Sequence, residues 1–544
     1  MSRTERKKMN QKHFTFTSVY NFILPCLIFI TGAFVRLYLF GHVPAGYQMD
    51  EAYAAWNAFS LYHCGIDSAG HSYPVYFEAW GGGQNALISY LMLPWIALFR
   101  GHINSYTVRL PQVILSLITL IAVYFLARKL YDRYTANWCM FLVAICPWHI
   151  MMSRWGLESN LAPGFLILGI CFFVYGLDRQ PLMLLSALCY GLSLYCYATI
   201  WPIVPVMLAL QVLYPALHHR FKWTRWTIAS GLLLILLAAP LLCFLPVNAG
   251  ILPSFKIGIF SVYKLTHFRS GELAHSFVDC WNNFKNMGRL FICQNGLRPY
   301  DIILPYGFFY DLGRCFIVIG IAALLHRFIK SLISRQYDPS AFLLIQLLGA
   351  GMTGILITVT MTQINCAYIP LMMAGAYGIM SSVRMLKLLS GKISEKLSGI
   401  TAYAFSLCIL LAFLYQFGNF SRDYFTTYRE LVSAYFQDGT DEAVRTAYRI
   451  AQKEDRNLVI EDALKYPNVL LSLEIPADSY LQTVTYRDQR PAPASFQKEN
   501  VTIYMGIDFD NLNADNVYLI YMTDLDLFNG WNSIPYGNWI VVYS

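Results

Sequence analysis

VYNFILPCLIFITGAFVRLYLF (Val19–Phe40), followed at once by GHVPAGYQMDEAY (41–53), decides how this chain is read. A helix rises 1.5 Å per residue, so an apolar run of this length covers the roughly 30 Å hydrocarbon core of a bilayer. The basic stretch Met1–Lys12 precedes it and no small-residue cleavage site follows. The run therefore reads as an uncleaved first membrane helix rather than a signal peptide. Arg36 sits near its far end and the carboxylates Asp50 and Glu51 stand just beyond. Charge is costly beside hydrocarbon and is usually kept there for a task.

Composition extends the reading to the whole chain. Of 544 residues, 56% are hydrophobic and only 13% charged, which places the protein in the polytopic membrane class. The net charge of +8 conceals a split, because residues 421–544 carry ten Lys/Arg against eighteen Asp/Glu. A basic membrane part with an acidic tail suits positive loops in the cytoplasm and a tail on the opposite side. The basic residues fall in short loop clusters, which speaks against nucleic-acid binding. Most of the thirteen cysteines lie inside apolar spans and read as small packing residues. Cys280 and Cys293, in an outer loop, form the pair that could bridge.

Apolar stretches recur at 19–40, 84–99, 108–127, 134–152, 160–177, 182–200, 201–217, 226–246, 312–329, 340–361, 365–386 and 398–420. The second is short and contains Pro94. If 84–99 does not cross, fourteen Lys/Arg, from Arg128 to Lys396, fall in inner loops and the short outer loops hold only Arg154. If it does cross, the bias reverses, against the positive-inside rule. We therefore read 84–99 as re-entrant or interfacial. That gives about eleven transmembrane helices, a cytoplasmic N-terminal segment (1–18), a membrane domain (19–420) and an extracytoplasmic C-terminal domain (421–544). In the first outer loop, Ala52, Ala55, Trp56, Phe59 and His63 recur at helical spacing, as in an amphipathic helix lying on the membrane surface. The tail reads as a small α/β domain, with a helix over 439–453 and strands at 457–460, 501–504, 517–521 and 539–543. It shows no glycine-rich phosphate loop, zinc spacing or nucleophile elbow.

Candidate chemistry concentrates on the expected outer face, where Asp50, Glu51, Asp67, Glu78, Glu158 and Glu272 gather. Acidic residues also favour a helix's first turn by electrostatics alone, a reading open for Glu51 and Glu158. An ionised Asp50 in a partly dry pocket can deprotonate a hydroxyl acceptor. Arg36 either snorkels to the interface, binds phosphate or holds Asp50 ionised. Arg109, in Val-Arg-Leu-Pro, is either a boundary arginine or a phosphate ligand. Arg154 and Glu158 either pair structurally or serve the site, and His149 beside them most simply satisfies a local hydrogen bond. Trp80-Gly81-Gly82-Gly83-Gln84-Asn85 permits a tight re-entry and also offers two amides. His267, Arg269, His275, Arg289 and Arg298, in the large outer loop, could meet a phosphate or a metal.

Four short motifs carry a family resemblance: Met49-Asp50-Glu51-Ala52-Tyr53, Tyr76-Phe77-Glu78, Val108-Arg109-Leu110-Pro111 and Ser153-Arg154-Trp155-Gly156-Leu157-Glu158. In their order and side, over roughly 1–310, the chain resembles the GT-C class of integral membrane glycosyltransferases. Within that class it is similar to the protein O-mannosyltransferases and the aminoarabinose transferase of lipid A. The resemblance implies a polyprenyl-phosphate sugar donor, an extracytoplasmic acceptor (protein, lipid or wall glycan) and inverting transfer without a nucleotide sugar. It makes Asp50 the acceptor-activating base, with Glu51 and Glu158 as catalytic companions. Arg36, Arg109, Arg154, Glu78, Tyr53 and His149 become substrate contacts. No metal ligand is assigned, and a divalent ion stays open as a cofactor. Relatives often carry Lys-Pro after the Tyr-Phe-Glu-like element, where this chain has Ala79-Trp80, and Asp at the position of Glu158. Sugar identity therefore does not transfer. Two competing readings are a lipid-linked oligosaccharide polymerase or ligase, which would lack the early Asp-Glu pair, and a transporter. A transporter predicts inverted repeats and interrupted helices near mid-membrane, and the sequence contains no internal repeat.

Overall fold

The computed structural model describes residues 22–80, 82–268, 273–294, 298–487 and 492–544. The segment 1–18, Gly81, Arg269 and Glu272 lie outside the described residues. Seven described helices are long and apolar enough to cross a membrane, by length and composition. They are Ser105–Leu130, Glu158–Gly176, Ala198–Leu217, Arg225–Asn248, Asp311–Ile333, Asn365–Gly391 and Glu395–Phe425. The first span appears as α1, Phe22–Leu37, and two other expected spans are the shorter helices Leu182–Ser193 and Ala341–Leu356. The stretch expected at 134–152 is broken. Pro147 cannot donate a backbone hydrogen bond, so the chain stops one helix at Ala144 and starts a short one at Pro147. The protein is thus a helical membrane protein that ends in a sheet domain.

Between α1 and the first long span, Ser105–Leu130, the chain builds a compact cap. Gln48 caps α2 (Met49–His63), its side-chain oxygen accepting from the N–H groups of Asp50 and Glu51. A short antiparallel hairpin follows, β1 (Tyr76–Ala79) and β2 (Gly82–Asn85), in which Tyr76 faces Asn85 and Glu78 faces Gly83. Next comes α3 (Leu87–Leu98), of 12 residues. At roughly 18 Å it is too short to cross, which agrees with a segment that turns back. Asn104 then closes a capping box that starts α4 (Ser105–Leu130). The long spans pack closely where small residues permit it. A Cβ on Gly320 would lie 1.8 Å from the Ala374 carbonyl oxygen, and one on Gly378 would lie 2.1 Å from that of Phe316. Two helices therefore touch backbone to backbone there.

The expected amphipathic surface helix is present as α2, but its surroundings differ. Residues Glu51 to Leu61 are all buried, on every face of the helix. One side of it is covered by the C-terminal domain. The Trp56 indole N–H donates to Ile475 O at 2.7 Å, Ala477 N–H to Ser60 Oγ at 3.1 Å and Asn468 Nδ2 to Tyr47 O at 3.0 Å. Trp56 also meets Tyr466 and Tyr480 edge-on, at 6.2 and 5.3 Å between ring centres. Period alone could not reveal this partner, because an apolar stripe looks the same whether lipid or protein covers it.

The C-terminal domain carries a seven-stranded sheet in the order 532–536, 539–543, 516–521, 457–460, 501–505, 493–498, 485–486. The strand Asn457–Ile460 lies parallel to both of its neighbours. Helix Thr440–Glu454 packs on one face through Ala443, Val444, Ala447 and Ala451. The large loop contains two elements that were not expected, a hairpin (255–257 with 260–262) and helix Phe277–Cys293. Cys280 and Cys293 both lie on that helix and are free. Thirteen residues of helix hold them roughly 20 Å apart, beyond the reach of a disulfide.

Replacing Trp56 tests the docked tail. Trp56→Ala should destabilise the purified protein by about 3–5 kcal/mol. Trp56→Phe, which keeps the ring and loses the bond to Ile475, should cost about 1 kcal/mol. Thermal unfolding in detergent gives the order, and limited proteolysis should release a C-terminal fragment from Trp56→Ala first.

Candidate active site

The site grows from one buried ion pair. Glu51 and Arg109 are both fully buried, with Nε donating to Glu51 Oε1 at 2.8 Å and Nη2 to Oε2 at 3.0 Å. The other Arg109 donors go to Pro44 O (2.7 Å) and Gly46 O (2.6 Å). Glu51 Oε1 also accepts the Gly156 N–H at 2.7 Å. A buried pair of this kind is tolerable only when its remaining donors and acceptors are matched, and here they are. It joins the first turn of α2, the start of α4 and the turn before Glu158.

Two further arginines close helix ends. Arg154 donates to the carbonyls of Val35, Arg36, Leu39 and Val43 at 2.7–3.1 Å, satisfying groups that the end of α1 leaves open. Arg36 donates to Val143 O and Ala144 O at the break before Pro147, and to Gly32 O. It also donates to His149 Nδ1 at 2.6 Å. A guanidinium has no acceptor, so Nδ1 accepts and this imidazole is neutral. Tyr53 is buried against Ser68 Oγ (2.5 Å) and the Glu78 carbonyl. Glu78 takes the Thr266 N–H at 3.3 Å.

Beside this framework opens a cavity of about 670 Å³ whose wall includes Asp50, Trp80, Gln84, Asn85, Glu158, Tyr197, Trp201, His267 and Arg298. Two expected carboxylates, Asp50 and Glu158, therefore share one cavity. Gln84 Nε2 donates to Asp50 O at 3.0 Å, and the Asn85 N–H donates to Glu158 Oε2. The hairpin strand β2 thus touches both acidic positions. Arg298 lies in the field of Asp50 and binds Tyr300 Oη. Next to it, burial pushes the Asp301 carboxyl up to about 6, against the opposing pull of Arg298.

The structure does not bring every expected site residue to this cavity. Glu51, Arg36, Arg109, Arg154, Glu78, Tyr53 and His149 are not in its wall. The three arginines point instead at the carboxylate, carbonyl and imidazole acceptors just described. His267 and Arg298 were named only as two members of a basic loop, and no sequence spacing separates them from their neighbours. Tyr197, Thr199, Trp201 and Gln363 line the wall without having given any signal. Among the described residues no group of three His, Cys, Asp or Glu side chains could hold a metal ion.

Comparison with known proteins follows from this geometry. Residues 86–246 match the family model for dolichyl-phosphate-mannose-protein mannosyltransferase. ArnT of Cupriavidus metallidurans in the apo state superposes with a TM-score of 0.53 at 12% identity, over 97% of this chain and 98% of that one. The chain has the GT-C fold. ArnT bound to undecaprenyl phosphate gives 0.51 at 12%, over 96% and 97%. The Archaeoglobus fulgidus oligosaccharyltransferase AglB, in complex with an inhibitory peptide and a dolichol-phosphate, gives 0.51 at 13%. That match covers 85% of this GT-C chain and 64% of AglB, just under two thirds of its length. No curated protein sequence matches the chain.

Two outcomes separate framework from site. Glu51→Gln leaves Arg109 charged and incompletely paired, and should destabilise the protein by about 3–5 kcal/mol in thermal unfolding. Asp67, in the loop after α2, has its carboxyl pushed up to about 7 by burial, only partly offset by the N–H groups of His71 and Ala69. Its native pKa is raised above the unfolded value, so the folded state binds this proton more tightly. That contribution to stability is present below pH ~4 and is lost as pH rises to ~7. Asp67→Asn keeps an acceptor for both N–H groups and should flatten the fall in melting temperature across that window.

Proposed function

We propose that this protein is a membrane glycosyltransferase moving one sugar from a polyprenyl-phosphate carrier to a hydroxyl acceptor on the extracytoplasmic face. The observation that carries the reading is the pair Asp50 and Glu158 in one cavity wall, together with the basic side chains Arg298 and His267. The resemblance to ArnT supports a lipid-phosphate donor, since one ArnT structure holds undecaprenyl phosphate. In this reading Asp50 takes the proton of the acceptor hydroxyl, and the oxygen forms a bond to the anomeric carbon. The bond from that carbon to the phosphate oxygen breaks on the opposite face, and its electron pair leaves with polyprenyl phosphate. Attack in line with the leaving group inverts the anomeric centre. The leaving phosphate needs positive charge and hydrogen-bond donors rather than a proton, and the wall offers the Arg298 guanidinium and the His267 imidazole. Arg36, Arg109 and Arg154 act through position, by holding the helices that carry Asp50 and Glu158.

In the same reading the N-terminus is cytoplasmic and the tail (421–544) extracytoplasmic. Glu158, which holds the Asn85 N–H, faces the same cavity and orients the acceptor or donor there. The resemblance to AglB favours a second reading, a donor that carries more than one sugar, and extending the labelled donor tests it directly.

Purified protein given a radiolabelled polyprenyl-phosphate sugar should transfer label, and Asp50→Asn should lower the rate by about 10²–10⁴-fold without loss of thermal stability. Arg298→Gln should raise the donor KM by about tenfold, roughly the worth of one charge-assisted contact. Wild-type turnover by Asp50→Asn would remove Asp50 from the mechanism. Cysteine labelling of positions 50 and 158 from opposite compartments would overturn the topology.

A further inference from the structure

Helix Phe277–Cys293 of the large loop has three different sides. Phe277, Trp281, Phe284, Gly288 and Ile292 recur every three or four residues and form one stripe, with Val278 at its edge. The five apolar side chains of that stripe are 46–85% exposed, and Trp281 and Phe284 stack at 5.7 Å between ring centres. A second side packs on the protein. The buried Asn283 donates from Nδ2 to Ile355 O at 3.2 Å and accepts from Thr358 Oγ1 at 2.6 Å. Met287 lies against Gly354, and Ile292 O accepts from Arg314. The third side is polar. Lys285 and Arg289, one turn apart, border the apolar stripe, with Asn282 and Asn286 beyond them, and all four are exposed. Neither cation has a hydrogen bond or ion pair among the described residues.

These contacts fix the level of the helix. Asp311–Ile333 is long and apolar enough to span, and Ala341–Leu356 is the apolar helix that follows it. Phe277–Cys293 touches the start of the first at Arg314 and the end of the second at Ile355. Its stretch from 283 to 292 measures roughly 14 Å, so the two helix ends lie close together where the chain leaves the membrane. Val318 and Leu348, on those same two helices, are 68% and 55% exposed. The stripe therefore adjoins apolar surface that membrane helices turn outward. The segment that the helix grips also reaches the cavity, because Thr353, Leu356 and Ile357 line its wall.

We propose that Phe277–Cys293 lies in the membrane surface, with its apolar stripe among the acyl chains and Lys285 and Arg289 on the phosphates of anionic phospholipids. The inference goes beyond the transferase reading and does not rest on it. The pattern of charge selects this occupant. Long basic side chains that border an apolar stripe run along it and carry their charges to the headgroups. Each then meets a phosphate oxygen as acceptor. Trp281 suits the same depth, since indole rings favour the boundary between membrane and water. The one carboxylate of the helix, Asp279, points away from the stripe and accepts the His275 N–H at 3.2 Å.

The test places a photo-reactive p-benzoylphenylalanine at Trp281, on the stripe, or at Asn286, on the polar side. Each full-length chain is put into nanodiscs of phosphatidylcholine with a small share of phosphatidylglycerol. The discs contain no polyprenyl phosphate, so no sugar carrier can account for an adduct. Mass spectrometry after illumination reads what each position touches. Position 281 should yield phospholipid adducts and position 286 few or none. At 281 the ratio of phosphatidylglycerol to phosphatidylcholine adducts should exceed that of the bilayer by about tenfold, the effect of two basic side chains at a membrane surface. Adding Lys285→Gln and Arg289→Gln should keep the phospholipid adducts and return their ratio to that of the bilayer. The melting temperature should not change, because both side chains are exposed and unpaired. The proposal is overturned if position 281 links to protein instead of lipid, whether a second copy or another part of the chain. Equal lipid adducts at 281 and 286 overturn it as well. So does a ratio at 281 that matches the bilayer in the unaltered helix, or one that stays high in the double variant.

Discussion

The geometry of the site depends on the buried ion pair between Glu51 and Arg109. Asp50 precedes Glu51 in the chain, and Glu158 follows Gly156, whose N–H the same carboxylate accepts at 2.7 Å. One interaction therefore sets the backbone on both sides of the cavity. Arg109 extends it to the carbonyls of Pro44 and Gly46, which fixes the approach to α2. In a low-dielectric interior a carboxylate and a guanidinium tolerate burial only as a matched set, so the pair admits few alternative arrangements. A hydrophobic contact in its place could slide by an ångström. A five-donor fork with assigned acceptors has far less room to do so.

The same logic explains why the first outer region is rich in arginine but its cavity is not. A helix that ends near the membrane surface leaves carbonyl groups without partners, and water is scarce there. Arg154 serves the end of α1, and Arg36 serves the break before Pro147, each closing groups from segments more than a hundred residues away. Once so engaged, these side chains have few donors left for a ligand. The basic side chains that do line the cavity, His267 and Arg298, come instead from the large loop. Apart from tyrosines, the other ionisable side chains of the wall are the carboxylates of Asp50 and Glu158.

Much of this frame was legible in the sequence. Repeated apolar runs gave the membrane class, and loop charges argued that 84–99 does not cross; the helix within it, α3, has 12 residues. Asp50 and Glu158 stood out because carboxylates beside hydrocarbon are rare, and both line the cavity. The arginines were equally conspicuous, yet conspicuous charge does not say whether the partner is a ligand or a carbonyl group. That distinction depends on which helix ends meet, a tertiary fact. Thr199 and Thr353, both in the cavity wall, gave no signal at all, since an isolated hydroxyl in an apolar run reads as core. The burial of α2 was hidden for a related reason: its apolar stripe is the same whether a membrane or the tail lies against it.

That last point changes what the tail does. Trp80 lines the cavity on one side and meets Tyr466 of the C-terminal domain on the other. Tyr466 in turn stacks with Tyr480 at 6.2 Å and meets Trp56 on α2. The aromatic chain from sheet domain to cavity wall is continuous, and rings packed at this density transmit displacement rather than absorb it. The wall residue Trp80 also has a positive φ of 50°. A bulky side chain pays for that backbone region with about 1–3 kcal/mol, and surrounding contacts have to hold it there. Tyr53 from the membrane cap and Tyr466 from the tail are those contacts. One residue of the cavity wall is therefore held in place by a domain that follows Glu395–Phe425 in the chain, so the docking of that domain on α2 bears on the shape of the cavity.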